Sequence, residues 1–173
     1  VIARSNSAPT GWSKNIFKRL FFKFFLNLAD KVMVNSIQFK SDLKKEFDVN
    51  ARCIYNPLNH DEVIKKAKKK SKKIFTNKKQ LKILNIGRFT EQKDQMTLLK
   101  SLNQIKETIK FEAVIIGRGK LYKKLQEYIS NNNLGRIIKI IDFVENPFPL
   151  LKQTELFILS SKYEGLPNVL LEA

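Results

Sequence analysis

The sequence predicts an α/β fold: parallel sheets covered by helices, arranged as two successive units. Three observations carry that expectation. From Leu81 onward, uniformly apolar runs of five to seven residues (LKILNIG, FEAVIIG, RIIKII, LFILS) alternate with amphipathic helical segments. A shorter alternation of the same kind runs from Ile16 to Tyr55. Between the two lies an abrupt change of composition, with Lys65, Lys66, Lys68, Lys69, Lys70, Lys72, Lys73, Lys78 and Lys79 in a stretch that holds no acid. The boundaries expected from this are residues 1–58 for the end of a first unit, 59–79 for a lysine-rich connector and 80–173 for a second unit.

The elements follow in order. Ile16 to Ala29 (IFKRLFFKFFLNLA) is helical in period, with Phe17, Leu20, Phe21, Phe24, Phe25 and Leu28 on one broad face and Phe22 and Leu26 on the other. Lys18, Arg19 and Lys23 interrupt it, and it is too short to cross a bilayer. Two settings suit such a helix: packing between a sheet and a neighbouring domain, which is favoured, or lying on an anionic membrane surface with its lysines at the headgroups. Lys31 to Asn35 is a β-branched strand, and Ser36 is placed to cap a helix reaching Phe47. Arg52 to Tyr55 is a strand closed by Asn56-Pro57, and helical residues from Asp61 run into the lysines. In the second unit the four apolar strands are separated by helices at about Glu91–Thr108, Lys120–Ser130 and Pro149–Gln153, and another helix starts near Asn168.

Charge and composition narrow the function classes. The 173 residues hold 33 Lys plus Arg against 16 Asp plus Glu, a net charge of +17. With 43% hydrophobic residues and thirteen Phe, the chain carries too much apolar surface for a solvated coil. Cys53 is the single cysteine and His60 the single histidine, which excludes an internal disulfide, a cysteine zinc site and a histidine-rich metal centre, and suits a reducing compartment. About half of the excess charge sits in the lysine run, read as a solvated, mobile connector, and no basic helix carries the Asn, Gln or Arg pattern of a groove reader, so nucleic acid is not the expected partner. A start at Val1 and an end at Ala173, inside the first turn of a helix, suggest a segment of a longer chain.

In open parallel sheets, ligands sit outside the carboxyl ends of the strands. Three loops there are informative. Gly87-Arg88-Phe89-Thr90-Glu91-Gln92-Lys93 offers a close backbone turn, a forked guanidinium and an ammonium expected one turn into the following helix, pointing back. Two cations beside a helix start suit a diphosphate without metal, although a surface Arg and Lys solvating a loop would look the same. Gly117-Arg118-Gly119-Lys120 lacks the spacing of a phosphate-binding Walker loop, and Tyr122 stands where a dinucleotide fingerprint needs its third glycine. It is a tight turn, with or without a ligand against it. The third loop, Ser160 to Glu172, sets Glu164 and Glu172 near one sheet edge, with Gly165 and Pro167 shaping the chain so that amides around Leu166 to Val169 face outward. Two carboxylates that can accept from vicinal hydroxyls, beside an amide-lined phosphate site, describe a nucleotide sugar as ligand.

Glu164-Gly-Leu-Pro-Asn-Val-Leu-Leu-Glu172, preceded by LFILSSKY and by Gly87-Arg88 with Lys93, resembles the donor-binding domain of the retaining glycosyltransferases of family four, glycosyl transferases group 1, which have the GT-B fold. The stretch from ADKVMVNS to YNP is similar to the close of these enzymes' N-terminal acceptor domain. The resemblance implies a GT-B type chain: the C-terminal part of one Rossmann-like domain, then most of a second, donor-binding one. It assigns Arg88 and Lys93 to the donor diphosphate as catalytic groups, Glu164 to the donor sugar hydroxyls and Glu172 to the nucleotide ribose. Gly87, Gly117, Gly165, Leu166, Pro167, Asn168 and Val169 would complete the donor site. It also implies no metal and no cofactor, a nucleotide-sugar donor, a sugar or lipid-linked acceptor in surface polysaccharide or lipid-linked oligosaccharide synthesis, and a cytoplasmic location, peripheral on the inner face of the cytoplasmic membrane. Asp142 departs from the family, which commonly has glycine at the end of that strand, and this puts the usual backbone contact to the base in doubt. The family's glycine-rich donor loop and catalytic histidine have no counterpart here, so the 173 residues alone are expected to be inactive.

The alternative reading is a non-catalytic nucleotide or nucleic-acid binding α/β module. Convergence of Arg88, Lys93, Glu164 and Glu172 on one cleft would favour the transferase; their scatter, with an ordered basic surface at Lys65 to Lys79, would favour the module. A nicotinamide-dependent enzyme is disfavoured by the missing third glycine.

Overall fold

The computed structural model describes residues 1–5, 15–77 and 79–173, so Lys78 of the lysine run lies outside the described residues. Contacts divide the chain into two compact units, Val1–Leu58 with Tyr163–Asn168, and Asn59–Lys162 with Val169–Ala173.

The first unit is a parallel sheet of β1 (Ile2–Ser5), β2 (Lys31–Val34) and β3 (Ala51–Cys53) in that spatial order, with helices α1 (Ile16–Asn27) and α2 (Ile37–Phe47) in the crossovers. Strand β1 escapes sequence reading because IARS has neither an apolar run nor a clean alternation. Ser36 caps α2 as expected, its Oγ accepting the Phe39 N–H at 3.1 Å, and Asp48 ends the helix in the left-handed region at φ 54°. Val32, Val34, Phe39, Leu43, Phe47, Val49 and Ala51 form the core.

Helix α1 packs on its own unit through the narrower of its two apolar sides. It meets its own unit through Leu26, through Ala29 just beyond its end and through Arg19, whose guanidinium holds Glu46 at 2.9 Å and lies 5.0 Å from the centre of the Phe47 ring. The broad phenylalanine face is exposed. The side with fewer apolar groups is the packed one because Arg19 and Leu26 share it, and an arginine that is both ion-paired and stacked anchors that side.

The second unit holds α3 (His60–Ala67), β4 (Leu81–Ile86), α4 (Gln95–Ile105), β5 (Phe111–Ile116), α5 (Tyr122–Asn131), β6 (Ile138–Ile141), α6 (Phe148–Leu151), β7 (Leu156–Phe157) and most of α7 (Asn168–Glu172). Its four strands are parallel in the order β6-β5-β4-β7. The chain steps outward from β4 to β6, then returns to the far side of β4, which makes the gap between the ends of β4 and β7 a topological switch point. Alternation along β5 sends Phe111, Ala113 and Ile115 to one face and Val114 and Ile116 to the other.

Three expectations shift here. Helix α4 starts at Gln95 rather than Glu91, because Asp94 adopts the left-handed region (φ 46°) and caps the helix by accepting the Thr97 N–H at 3.4 Å, its other oxygen taking the Thr97 hydroxyl at 2.8 Å. Lys93 therefore stands before the helix, not one turn inside it. The last strand is only two residues long, since the chain beyond Phe157 leaves the ladder after Ile158 N–H donates to Leu84 O at 2.9 Å. The lysine-rich stretch is not wholly solvated either. Phe75 is buried in the sheet's core, α3 packs on α6, and the Thr76 and Asn77 amides donate to Glu112 at 2.7 and 3.1 Å. Its adjacent apolar pair, Ile74 and Phe75, draws the segment onto the sheet.

Candidate active site

At the end of β4 the chain turns at Gly87 and is stitched to the neighbouring strand ends. Gly87 N–H donates to Ile116 O at 3.0 Å, Phe89 N–H to Arg118 O at 2.9 Å, and Leu121 N–H to Phe89 O at 3.2 Å. Two glycines make this close approach feasible. A Cβ on Gly117, whose φ is +156°, would stand 2.0 Å from Gly87 O, and one on Gly119 would stand 2.6 Å from Phe89 O. The Gly-x-Gly turn that was ambiguous in sequence is thus the surface on which the β4 loop rests. Phe89 is fully buried beneath it, stacked on Tyr122 at 6.2 Å between ring centroids.

The loop's cations take different postures. Arg88 is exposed, while its carbonyl oxygen accepts from Gln95 Nε2 at 3.2 Å. Lys93 is half-buried, and its Cγ and Cδ lie 3.6 Å from where a Gly87 Cβ would be. Its side chain therefore folds back over the strand end, as expected, even though its backbone position differs. Across the switch point, the segment after β7 binds this same loop: Ser160 Oγ donates to Lys93 O at 2.7 Å, and Lys162 N–H donates to Gln92 O at 2.8 Å. The Lys162 ammonium lies 3.8 Å from the Asp94 carboxylate. Loops from the two strands that flank the switch point are thereby joined into one platform.

Asn85 and Gln95 support that platform and were missed from sequence. Asn85, 2% exposed, donates from Nδ2 to Ile158 O at 2.8 Å, locking the end of β7 to β4, and Gln95 is 1% exposed under Arg88. One signal was available: an asparagine inside the otherwise apolar end of LKILNI has to find a partner when buried. On the far side of the Gly-x-Gly turn, the Arg118 guanidinium lies over the exposed Phe143 ring at 4.6 Å. Asp142, the departure noted in sequence, accepts the Phe143 N–H at 2.6 Å.

Gly87, Arg88, Lys93 and Gly117 are thus assembled at one sheet end in the second unit. Val169 and Glu172 belong to the same unit, both half-buried on α7. Glu164, Gly165, Leu166, Pro167 and Asn168 group with the first unit, where Asn168 Oδ1 accepts from Asn56 Nδ2 at 2.6 Å. A separate cavity of about 840 Å³ opens on the β5–β6 face of the second unit; Val114, Ile141 and Leu150 floor it and Lys69, Lys70 and Lys72 border it. None of Gly87, Arg88 or Lys93 lines it. Among the described residues, no group of three or more His, Cys, Asp or Glu side chains could hold a metal ion.

The model of the family described as glycosyl transferases group 1 matches residues 66–173, which contain this whole assembly. The chain belongs to that family. A protein of Methanocaldococcus jannaschii named as an uncharacterized glycosyltransferase is 32% identical over 160 residues, 89% of this chain and 39% of its own length. The Campylobacter jejuni enzyme named N-acetylgalactosamine-N,N'-diacetylbacillosaminyl-diphospho-undecaprenol 4-alpha-N-acetylgalactosaminyltransferase is 28% identical over 180 residues, 100% of this chain and 47% of its own length. The chain thus spans less than half the length of these relatives. Among solved structures, Staphylococcus aureus TarM, in a complex with fondaparinux, α-GlcNAc-glycerol and UDP, aligns with a TM-score of 0.76 at 21% identity, covering 99% of this chain and 34% of TarM. Sucrose-phosphate synthase of Thermosynechococcus elongatus aligns with a TM-score of 0.77 at 16% identity, covering 99% and 47%. These likenesses show the fold, which is the Rossmann-like GT-B type expected of a group 1 glycosyltransferase.

Proposed function

We propose that the protein transfers a sugar from a nucleotide-diphosphate sugar to an acceptor hydroxyl with retention of anomeric configuration. The observation that carries this reading is the joined platform at the switch point, where exposed Arg88 and back-folded Lys93 stand at the end of β4 beside two glycines that leave the backbone bare. A diphosphate fits such a place: the guanidinium offers a forked pair of donors and the ammonium a mobile point charge. As the bond from the sugar's anomeric carbon to the diphosphate oxygen breaks, negative charge accumulates on the leaving group. The acceptor oxygen bonds to that carbon on the face the diphosphate leaves, and the acceptor's hydroxyl proton passes to the departing diphosphate oxygen. Cations held in place before the reaction stabilise the departing oxyanion without reorganising, which is where preorganised charge has most effect.

In this reading Glu164 holds the donor sugar hydroxyls and Glu172 the ribose. Amides from Gly165 to Val169 contact the sugar and the phosphate, and Gly87 and Gly117 keep the strand ends open to them. No metal or cofactor takes part. Family membership supports the reading, as do a relative named for transfer to a diphospho-undecaprenol-linked sugar and a fold neighbour solved with UDP. The acceptor is accordingly a sugar or lipid-linked oligosaccharide, met at the cytoplasmic face of a membrane. Calorimetric titration of the intact protein with uridine, guanosine and adenosine diphosphates tests it. One nucleotide should bind preferentially, and Arg88→Ala should weaken it about tenfold or more, the loss of a charge-assisted pair. Equal binding of all three, with no loss in the variant, would overturn the reading.

A further inference from the structure

We propose that Gln95 and Ser160 are positioning residues that fix the separation between Arg88 and Lys93, and that this separation selects a diphosphate over a monophosphate. The inference rests on the transfer reading and adds to it the residues that set how the two cations are spaced. Each acts on the backbone of one cation, from a different element. Gln95, the first residue of α4, donates from Nε2 to Arg88 O at 3.2 Å, and Ser160, beyond β7, donates from Oγ to Lys93 O at 2.7 Å. Both donors have firm footing. Gln95 is buried, and Asn85 Nδ2 holds Ile158 O at 2.8 Å, two residues before Ser160. The Gln95 amide nitrogen also stands 3.3 Å from where a Gly87 Cβ would be, and the Lys93 stem reaches the same point at 3.6 Å. The clamp on Arg88 and the stem of Lys93 thus meet over one glycine.

The bonding of Gln95 argues against a purely structural role. Arg88 O already accepts the Thr90 N–H at 2.9 Å, so the glutamine is not needed to satisfy that carbonyl. Its own Oε1 is buried without a hydrogen-bond partner among the described residues, a cost in stability that an apolar side chain of the same length would not incur. What the Nε2 bond supplies is a second tether, which stops the backbone at Arg88 from swinging relative to α4. Ser160 does the same for Lys93 from the β7 side. A diphosphate is a two-headed ligand. Once one phosphate has met one cation, the second contact gains only if the other cation already stands at the spacing of the linked phosphates, and slack in either cation is lost from that second contact. A monophosphate needs one cation at a time and is indifferent to their spacing.

Calorimetric titration of the intact protein with the di- and monophosphates of uridine, guanosine and adenosine, alongside thermal unfolding, tests the inference. For the preferred base, Gln95→Met keeps the volume and removes the amide. It should lower the ratio of diphosphate to monophosphate affinity about fivefold, with a thermal midpoint equal to or above that of wild type. Ser160→Ala should lower the ratio by a similar factor, and Ser160→Thr, which keeps a hydroxyl, should restore it. An unchanged ratio in Gln95→Met or Ser160→Ala, a parallel loss of both nucleotides, or failure of Ser160→Thr to restore the ratio overturns it. So does a lowered midpoint in Gln95→Met, which would assign the glutamine to stability alone. The two readings fail separately. If wild type shows no preference among the diphosphates and Arg88→Ala binds as wild type does, the transfer reading falls and this inference with it. If Arg88→Ala weakens the diphosphate while the Gln95 and Ser160 variants keep the ratio, only the positioning roles are refuted.

Discussion

The two faces of the second unit's sheet are built on different principles. On one, Ile83, Phe111, Ala113, Ile115 and Ile138 meet Leu98, Leu99 and Leu102 of α4 and Leu125 and Ile129 of α5 in a core without charge. On the other, Val114, Leu84 and Ile116 meet only Phe75 and Leu150 as buried partners, and the same strand turns a carboxylate inward. Glu112 has a side chain 3% exposed, accepts from Lys139 Nζ at 2.9 Å, and takes the Thr76 and Asn77 amides. Packing holds long regular helices onto the first face. The second face is covered by a lysine-rich segment too polar for that, tied down by the buried Glu112 carboxylate and by Gln153, whose Oε1 accepts the Ile74 N–H at 3.3 Å and whose Nε2 donates to Lys72 O at 3.3 Å. A sheet can therefore keep a highly charged segment in place if one strand position gives up an apolar residue for a carboxylate with several donors.

Three substitutions would break or sharpen this contrast. Phe111→Ala should have the largest effect, destabilising by about 3–5 kcal/mol in urea denaturation, because a fully enclosed ring leaves a cavity its rigid neighbours cannot fill. A cost similar to that of a surface residue would mean the helical face is not close-packed. Next, Gly117→Ala should cost about 2–3 kcal/mol, since the methyl group must displace the Gly87 carbonyl, and it should weaken nucleoside diphosphate binding as well. Unchanged binding by a folded variant would separate the strand-end joint from the site.

Glu112→Gln should cost about 1–2 kcal/mol at neutral pH, with a distinctive pH dependence. Burial alone would push the Glu112 carboxyl up, but Lys139 and the Asn77 and Thr76 amides outweigh it and hold the group below the usual carboxylate range. A folded-state pKa below the unfolded one adds stability that is complete above the unfolded value and is lost as pH falls through the folded one. The urea midpoints of wild type and Glu112→Gln should therefore converge as the solution is made acid. A constant gap would show that the carboxylate's charge does not hold the segment.

The alternation of strands and helices was legible in the second unit because apolar runs such as FEAVII are buried on both faces and leave little ambiguity. Helix starts were not. Thr90 to Lys93 are all compatible with helix, and only the left-handed turn at Asp94, fixed by its bond to Thr97, delays α4. For the site, residue types at strand ends pointed to Gly87, Arg88 and Lys93. The bonds that join Ser160 and Lys162 to that loop connect residues about 70 positions apart, and no local pattern encodes them. The exposure of α1's phenylalanines was hidden for a related reason: a helical wheel shows which groups share a face, whereas the side that packs is chosen by partners such as Glu46 and Phe47.

The approach of Gly117 to the Gly87 carbonyl also constrains how the sequence can change. With 2.0 Å between that oxygen and any added Cβ, residue 117 has no neutral single-step neighbour. Drift there requires the chain after Gly87 to take another path first, and that path carries Arg88 and ends at Lys93. The glycine and the two cations consequently form one heritable block: a lineage that alters the turn has to rebuild the cations' footing with it, whereas exposed α1 positions such as Phe17 and Phe21 meet no comparable steric barrier within the fold.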